Sequence, residues 1–384
     1  MIKISDKTKC SGCYACYSVC PVNSIAMKSD DEGFKYPVVD AATCINCGLC
    51  EKACPIIKGE ENEDTSRVPT AYAAFNNDEN IRLKSSSGGI FTLLAEKVID
   101  KGGVVFGAAF NENFEVVHTA VEKKSDLAML RGSKYVQSRI GESYKLAKNF
   151  LDEGRTVLFT GTPCQIGGLK AYLDRDYENL ICQDIICHGV PSPAVWEKYL
   201  KYRKECDLDT VEEISFRDKQ TGWKKFSLSF KYPQKRYSRA LDDDLYMISF
   251  LKNRCLRPSC YDCSFKTVSR DADVTLADFW GVRNIIPEMD DDKGTSLVLV
   301  HSQKGASLFD EIKDLMTVKE ADTDKAIRCN SAAIRSVPLY PKRRDFIKKI
   351  QSKRFDKVAK KHLKDPFASR CKRLVKRVVS KAFK

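Results

Sequence analysis

The sequence predicts a protein of the α+β/α/β class, with a small cysteine-rich domain, an α/β body built on a mostly parallel sheet, and a basic C-terminal helix. Three observations support this fold class. A cysteine motif occurs twice near the N-terminus, strand–loop–helix segments follow one another through the middle of the chain, and basic residues crowd at the C-terminus. The chain has 384 residues, of which 43% are apolar, so two or three domains with real cores are expected.

Cysteine usage and hydropathy limit the class of protein. No apolar run approaches the length of a membrane-spanning helix, and the first residues lack the apolar core of a signal peptide. We therefore expect a cytoplasmic protein whose thiols stay reduced. Eight of the 17 cysteines lie between Cys10 and Cys54, and such clustering in a reducing compartment indicates metal binding instead of disulfides.

The first domain, expected over residues 1–58, carries the repeated motif. C-x2-C-x2-C-x3-C-P begins at Cys10 and recurs 34 residues later at Cys44. This is the spacing of bacterial two-cluster ferredoxins, in which the fourth cysteine of each run ligates the other cubane. Zinc is the alternative, but zinc sites usually pair two C-x2-C knuckles. The spacing predicts two 4Fe–4S clusters, cluster one held by Cys10, Cys13, Cys16 and Cys54, and cluster two held by Cys44, Cys47, Cys50 and Cys20.

A polar linker is expected over residues 59–70, and the body over 71–340, divided into 71–150 and 151–340. Strands are predicted at 71–75, 104–110 and 115–121, with a helix from Gly89 that carries apolar residues at helical spacing. Three further strands, at 156–160, 180–186 and 273–277, are expected to be parallel. Since ligands lie beyond the carboxyl ends of such strands, the residues that follow them are expected to share one crevice: Cys164, Cys187 and Asp278.

A second cysteine group is C-x4-C-x2-C, formed by Cys255, Cys260 and Cys263. Three thiolates this close in sequence predict a metal site with one more, distant ligand. Cys187 is our choice for that ligand because it follows a predicted strand. Cys164 and Cys182 are the rivals, and buried or zinc-bound thiols are the alternative interpretation.

Other segments have two interpretations each. Ser87 could simply cap the helix that starts near Gly89, or the glycines could let helix N-terminal amides approach a phosphate. Residues 131–138 could form a surface turn or a basic and aromatic cofactor wall. His188 could be a polar core residue or a catalytic one, and the charges of Lys134 and Arg217 could be solvated or face an anion.

Taken together, these motifs resemble those of the beta-subunit family of coenzyme F-420 hydrogenases and dehydrogenases. The resemblance covers about residues 72–345 and rests on the order of these segments: Ser86-Ser-Gly-Gly89, Gly132-Ser-Lys-Tyr-Val-Gln-Ser138, Gly161-Thr-Pro-Cys-Gln165, Cys187-His-Gly-Val-Pro-Ser192, Phe216-Arg-Asp-Lys219 followed by Gly222-Trp223, the C-x4-C-x2-C group and Ala277-Asp-Phe-Trp-Gly281. It implies an iron–sulfur flavoenzyme that passes electrons between a two-electron donor or acceptor, such as the deazaflavin F-420, and one-electron clusters serving a redox partner protein or ferredoxin-like carrier.

The resemblance also implies site residues. FAD would be held by Ser86, Ser87, Gly88, Gly89, Lys134, Tyr135, Gln137 and Ser138, with Thr162 and Pro163 nearby. A third 4Fe–4S cluster would be held by Cys187, Cys255, Cys260 and Cys263. His188 and Lys134 are the candidate catalytic side chains. The alternative function is a non-catalytic electron-transfer adaptor without flavin.

The C-terminal segment, expected as a basic tail over 341–384, has 18 Lys plus Arg against 3 Asp, while the rest of the chain is nearly neutral. Apolar residues from Phe367 to Phe383 fall on one helical face. This helix could pack on the body, dock on an acidic partner, or rest on an anionic membrane surface, which would make the protein peripherally membrane-associated. The near-neutral body disfavours nucleic acid as a partner.

Overall fold

The computed structural model describes residues 1–58 and 68–363. Most of the expected linker at 59–70, and all of the helix predicted from Phe367, lie outside these residues. The strands of the described chain are β1 (Ile25–Ser29), β2 (Lys35–Val39), β3 (Thr70–Asn76), β4 (Val104–Phe110), β5 (Val116–Val121), β6 (Val157–Thr160), β7 (Leu180–Ile185), β8 (Glu213–Asp218), β9 (Ser227–Lys231), β10 (Arg236–Ala240), β11 (Val274–Asp278), β12 (Ser296–Val300) and β13 (Met316–Ala321).

The α-helices range from single turns to 15 residues. They are α1 (Ala15–Ser18), α2 (Leu49–Lys52), α3 (Glu79–Lys84), α4 (Ile90–Asp100), α5 (Ser143–Asp152), α6 (Pro163–Leu173), α7 (Pro193–Asp207), α8 (Leu245–Leu251), α9 (Val282–Ile285), α10 (Gln303–Asp310), α11 (Thr323–Cys329), α12 (Arg343–Ser352) and α13 (Phe355–Leu363).

The N-terminal domain, residues 1–58, repeats its backbone as it repeats its sequence. Strands β1 and β2 form an antiparallel pair, and a one-turn helix carries the third cysteine of each motif. The residues that precede these helices, Tyr14 and Gly48, both adopt left-handed φ, at 72° and 75°. They lie 34 positions apart, so the sequence repeat is also a conformational repeat.

The body is built on one eight-stranded sheet in the order β13-β3-β12-β11-β7-β6-β4-β5. Four adjacent strands, β11, β7, β6 and β4, are parallel, which confirms the strands predicted at 156–160, 180–186 and 273–277. The flanking strands pair antiparallel, so the sheet is mixed and the expected parallel arrangement holds for these four strands only.

Helices cover both faces of this sheet, because successive strand residues alternate between two apolar cores. One core lies under α4 and α10 and includes Val105. The other lies under α5 and α6 and includes the next strand residue, Phe106. This layering leaves the carboxyl ends of the parallel strands free at one edge.

A second unit is inserted between β7 and β11. Strands β10, β9 and β8 form an antiparallel sheet in that order, and its aromatic core is closed by α7, α8, α12 and α13. Phe346, Ile350, Phe355 and Val358 are buried in that core. The body therefore does not end at residue 341 as expected, because residues 343–363 pack in its core.

The N-terminal domain lies against both units. Arg343 of α12 forms a bidentate ion pair with Glu32, and both side chains are largely buried. On the other side, a Cβ built at Gly168 of α6 would lie 2.7 Å from Cys13 Cβ, so only glycine lets α6 approach this closely. Within residues 1–58 and 68–363, none of the helices combines the length and apolar character needed to cross a membrane.

Candidate functional site

Two cavities in the N-terminal domain are each surrounded by four cysteines. The first is lined by Cys10, Cys13, Cys16 and Cys54. The second is lined by Cys20, Cys44, Cys47 and Cys50. In each cavity three thiols come from one motif and the fourth from the other, which is the grouping predicted for cluster one and cluster two.

The four thiols of each group surround a space and do not converge on a point. Tetrahedral zinc would hold thiolates roughly 3.8 Å apart, given zinc–sulfur bonds of about 2.3 Å. In the part of the chain that the structure describes, no three His, Cys, Asp or Glu side chains are close enough to hold a single metal ion. The arrangement of three thiols from one motif and one from the other is that of a two-cluster ferredoxin, whereas zinc sites usually pair two C-x2-C knuckles.

A third four-cysteine cavity lies between the body and the N-terminal domain. Its cysteines are Cys164, Cys187, Cys260 and Cys263. Burial raises the pKa of the Cys260 thiol to about 12, and the charges of Cys187 and Cys263 contribute to that rise. If these four buried thiols lost their protons, the neighbouring thiolates would repel one another and would lack solvation by water. A cationic centre between them would offset both costs.

Three cations border this third cavity, namely Lys9, Lys266 and Arg270. Lys266 donates hydrogen bonds to the backbone carbonyls of Cys187 and Ala332, and Arg270 pairs with buried Asp184 at 2.9 Å. The backbone N–H of Val190 also donates to the sulfur of Cys260 at 3.4 Å. These contacts favour negative charge on the thiolates.

Cys255 does not belong to this group, and its predicted role as a ligand is wrong on geometry. It is fully buried in the core of the inserted unit, packed with aromatic side chains, and it does not line the cavity. Leu256, the next residue, is also fully buried. Cys260 lies in the short 3-10 helix Pro258–Tyr261 that follows, and Cys260 and Cys263 both line the cavity. Cys164, one of the two rivals for the fourth ligand, takes the remaining place beside Cys187.

A large cavity, about 640 Å³ and open to solvent, lies at the carboxyl ends of the parallel strands. As expected, the three loops after β6, β7 and β11 share it, since Cys164, Cys187 and Asp278 all line it. Cys164 and Cys187 therefore face both this large cavity and the third four-cysteine cavity.

The Ser86–Gly89 loop forms part of the cavity wall, but Gly88 does not. The Gly88 N–H donates to Ser296 Oγ at 2.9 Å, and a Cβ at Gly88 would lie 2.3 Å from Ala74 O. Gly88 is thus required by the close packing of the loop on β3 and β12. Ser87 does not cap α4 either, because its hydroxyl donates to Thr295 O.

The N-terminus of α4 itself opens onto the large cavity. Gly89 is the N-cap residue with left-handed φ, and no side chain caps the helix. Gly89, Ile90 and Phe91 line the cavity, as do Ser86 and Ser87. The uncapped amides of the first turn of this 11-residue helix make a place for an anionic group.

Residues 134–138 line the same cavity, with most of their polar groups engaged. Lys134 Nζ donates to Met129 O and Arg131 O, and burial lowers the pKa of Lys134 to about 7. Tyr135 stacks on Phe250 with ring centroids 4.7 Å apart. Gln137 Nε2 donates to Ser11 O of the N-terminal domain. Lys134 thus holds its own loop closed, and the geometry shows no proton-transfer partner for it among the described residues.

The loop after β6 separates two of the predicted residues. Thr162 lines the large cavity and caps α6 in a capping box with Gln165. Pro163, the next residue, lines the third four-cysteine cavity.

His188 lies where the two cavities meet and lines both. Its Nε2 is 2.7 Å from Asn253 Oδ1, and its ring packs edge-on against Phe250. Burial lowers the pKa of His188, so the neutral imidazole is favoured.

Several cavity residues were not singled out by sequence reasoning. His118 bonds through Nδ1 to Ser138 at 2.6 Å and through Nε2 to Thr160 O at 2.9 Å, and burial lowers its pKa to about 4. Because Thr160 O can only accept, the proton lies on Nε2 and Ser138 donates to Nδ1. Gln183 Oε1 is buried at the cavity and has no hydrogen-bond partner among the described residues. No periodicity in the sequence marks either residue.

An aromatic and ionic group also lines the cavity. Arg217 pairs bidentately with Asp278, at 2.7 Å for both bonds, and Trp223 donates to the same carboxylate. Trp280 stacks on Trp223 with the rings 5.0 Å apart and nearly parallel, and 37% of Trp280 is exposed toward the cavity. The exposed part of its ring can contact a planar ligand.

Comparison with known proteins identifies the family. Residues 71–144 and 154–326 match models of the N- and C-terminal parts of the beta subunit of coenzyme F420 hydrogenase/dehydrogenase, and residues 9–56 match a 4Fe-4S dicluster domain. The two beta-subunit matches together span more than half of the chain. This chain belongs to the coenzyme F420 hydrogenase/dehydrogenase beta-subunit family. It is an iron–sulfur protein of an oxidoreductase family.

Its relatives are distant. The chain is 24% identical to a subunit of the F420H2 dehydrogenase of Methanosarcina mazei over 207 residues, 50% of this chain and 58% of that protein. It is 22% identical to the coenzyme F420-dependent sulfite reductase of Methanocaldococcus jannaschii over 322 residues, 83% of this chain and 47% of that protein. This chain therefore spans about half the length of these curated relatives. A chain of the F420-reducing [NiFe] hydrogenase complex of Methanosarcina barkeri aligns at a TM-score of 0.48 and 18% identity, covering 77% of this chain and 91% of its own.

Proposed function

We propose that this chain is an iron–sulfur flavoenzyme that exchanges electrons between a two-electron small molecule and 4Fe–4S clusters that serve a redox partner protein. One observation carries the proposal. Cys164 and Cys187 line both the large cavity and a cavity surrounded by four thiols, so a cofactor in the first would adjoin a cluster in the second.

The large cavity fits a flavin dinucleotide in three respects. The uncapped amides of α4 suit a phosphate, and the unpartnered Gln183 Oε1 suits a ring N–H. Aromatic side chains such as Tyr135 and Trp280 line the walls. The volume, about 640 Å³, lies within the usual range for a site that holds one cofactor-sized ligand.

A bound flavin would supply the conversion between paired electrons and single electrons. The residues of this chain would bind, orient and shield it. Gly89 and Ile90 would present backbone amides to the phosphate. His118 stays neutral in its fixed tautomer and holds Ser138 in place. Arg217, neutralised by Asp278, fixes the Ser86 carbonyl at 3.0 Å and so orients the loop.

We propose Cys164, Cys187, Cys260 and Cys263 as the ligands of a third 4Fe–4S cluster. Its distance from cluster one is short. Cys164 and Gly168 lie four residues apart on one face of α6, about 6 Å along the helix axis, and Gly168 is in contact with Cys13. Lys9, Ser11 and Ile56 line both the third cavity and the cavity of cluster one.

Cluster two would be the point of exchange with the partner protein. Its ligand Cys47 is exposed, whereas Cys13 and Cys16 of cluster one are buried. Exposed apolar side chains surround the cavity of cluster two, among them Met1, Val22 and Ile45. An accessible cluster with an apolar rim suits transient contact with another redox protein.

Anaerobic purification, followed by release and identification of the flavin, tests the proposal directly. We expect about one flavin per chain, bleached by one of reduced F-420, NADH or NADPH, with F-420 tried first because two relatives are named for it. Cluster absorption without flavin bands would instead indicate an adaptor that carries electrons only, and would refute the enzyme proposal. A Gln183→Leu variant provides the matched test of the cavity, since it keeps the buried volume and removes the unpartnered oxygen.

A further inference from the structure

Arg257 is the most completely buried arginine of the described chain, with no exposed surface. It lies between the two cysteines of the C-x4-C motif, although it ligates nothing itself. Its guanidinium crosses into the N-terminal domain. Nε donates to Cys10 O at 2.8 Å, and one terminal nitrogen donates to Lys35 O at 2.9 Å.

The same terminal nitrogen lies 3.7 Å from the sulfur of Cys10, within hydrogen-bonding range for sulfur. The other terminal nitrogen donates to Gln137 Oε1 at 2.9 Å, and the guanidinium stacks over the ring of Tyr36 with its carbon 4.3 Å from the ring centroid. These contacts leave the side chain no freedom to turn away from Cys10.

The charge of Arg257 has no carboxylate partner among the described residues. Five arginines there are less than a tenth exposed, and the other four each form an ion pair: Arg82 with Asp291, Arg203 with Asp207, Arg217 with Asp278 and Arg343 with Glu32. An isolated buried guanidinium is strongly disfavoured, so a counter-charge is required. The thiolates of Cys10, Cys13, Cys16 and Cys54 are the negative charges at hand.

We propose that Arg257 is the fixed counter-charge of cluster one and raises the midpoint potential of that cluster. Reduction adds one negative charge to a cluster, so a nearby positive charge and an N–H···S bond both stabilise the reduced form. Arg257 is a positioning and tuning residue, because it acts through Cys10. The inference rests on cluster one of the proposed function and is independent of the flavin.

The test is an anaerobic redox titration followed by EPR on the full-length, cluster-loaded protein. The signal of cluster one is the one that disappears in Cys10→Ala. In Arg257→Met we expect a more negative midpoint potential for cluster one, with cluster two unchanged. Arg343→Met is the matched control, since it removes an equally buried charge from the same domain interface without touching a cysteine.

The possible outcomes distinguish failure of this inference from failure of the proposed function. An unchanged potential in fully loaded Arg257→Met would overturn it, as would an equal shift in Arg343→Met, because loosening of the interface would then be the cause. Should Arg257→Met fail to load, Gln137→Glu decides. It places a carboxylate against the guanidinium and must lower the potential of cluster one if the charge of Arg257 matters, whereas an unchanged potential refutes the inference. Absence of any cluster-one signal in the unmodified protein would refute the proposed function itself.

Discussion

Replacing Cys164 and Cys255 separately distinguishes the ligand set seen in the structure from the set expected from motif spacing. Three cubanes correspond to about twelve iron atoms per chain. Because Cys164 lines the four-thiol cavity, Cys164→Ala should lower the content to about eight. Cys255→Ala should keep about twelve, since Cys255 lies in the aromatic core of the inserted unit.

The two variants should also differ in packing, because only Cys255→Ala leaves a void in a buried core. Cys255 has no exposed surface, and removal of its sulfur leaves a small void among side chains such as Tyr246 and Leu256. Loss of one buried heavy atom of this size costs about 1 kcal/mol of unfolding free energy. Cys164 is partly exposed at the cavity wall, so its truncation should create no comparable void.

The assay is anaerobic iron and sulfide analysis, combined with EPR and a urea unfolding curve for each variant. Cys47→Ala serves as the positive control, because it should also remove four iron atoms, but from cluster two. The reasoning would be refuted if Cys164→Ala retained all its iron, or if Cys255→Ala lost as much as Cys47→Ala.

Two further predictions concern the walls of the large cavity. Gly88→Ala should reduce unfolding free energy by about 1–3 kcal/mol in urea titrations and leave flavin per folded chain unchanged, because its Cβ would strike Ala74 O; a stable but flavin-depleted variant would show that Gly88 serves the phosphate. The pKa of His118 is lowered to about 4 in the folded protein, so the unfolded chain binds more protons between about pH 6.5 and pH 4, and stability falls as pH falls through that window. His118→Gln should therefore flatten the pH dependence of the urea midpoint in that range, by an amount on the order of 3 kcal/mol at pH 4, and an unaltered slope would contradict the assignment.

The N-terminal domain was predictable in detail because short sequence motifs specify which cysteines line each cavity. Each C-x2-C-x2-C run wraps one cavity within a few residues, and the Cys-Pro step carries the fourth thiol to the other cavity. The same local logic predicted α4 from its apolar spacing and the parallel strands from their strand–loop–helix order.

The third thiol group required distant contacts, and sequence spacing misjudged it. Cys255 and Cys260 are neighbours in the chain, but the direction of each side chain depends on the turn between them. Buried Leu256 anchors that turn in the inserted unit, while Arg257 points into the N-terminal domain. The signal that could have corrected the assignment is the position of Cys164 at the start of α6, directly after β6 and one strand away from the loop of Cys187.

The structure differs from the expectations of a phosphate-binding Gly88 and of a basic tail from residue 341, and the reasons are related. A glycine pair before a helix has the same appearance whether it admits a phosphate or a neighbouring strand, and only the 2.3 Å approach to Ala74 O separates the two. In residues 343–363 the high positive charge concealed an apolar stripe, including Phe346, Ile350 and Val358, that packs in the inserted unit. The apolar spacing was present in the sequence and outweighs the charge, because lysine and arginine can remain at the surface.

The position of Cys164 explains how the fold brings together the large cavity, the third four-cysteine cavity and the cavity of cluster one. The residue ends a loop that follows a parallel strand, so its thiol lies at the edge where ligands of α/β sheets bind. It also occupies the first turn of α6, and four residues later Gly168 has no side chain and lets Cys13 approach the helix. A larger residue at 168 would push the N-terminal domain away and lengthen the path between the third cavity and cluster one. Since Cys164, Gly168 and Cys13 are linked by one rigid helix face, the separation of these sites is fixed by α-helical geometry and not by the flexibility of a linker.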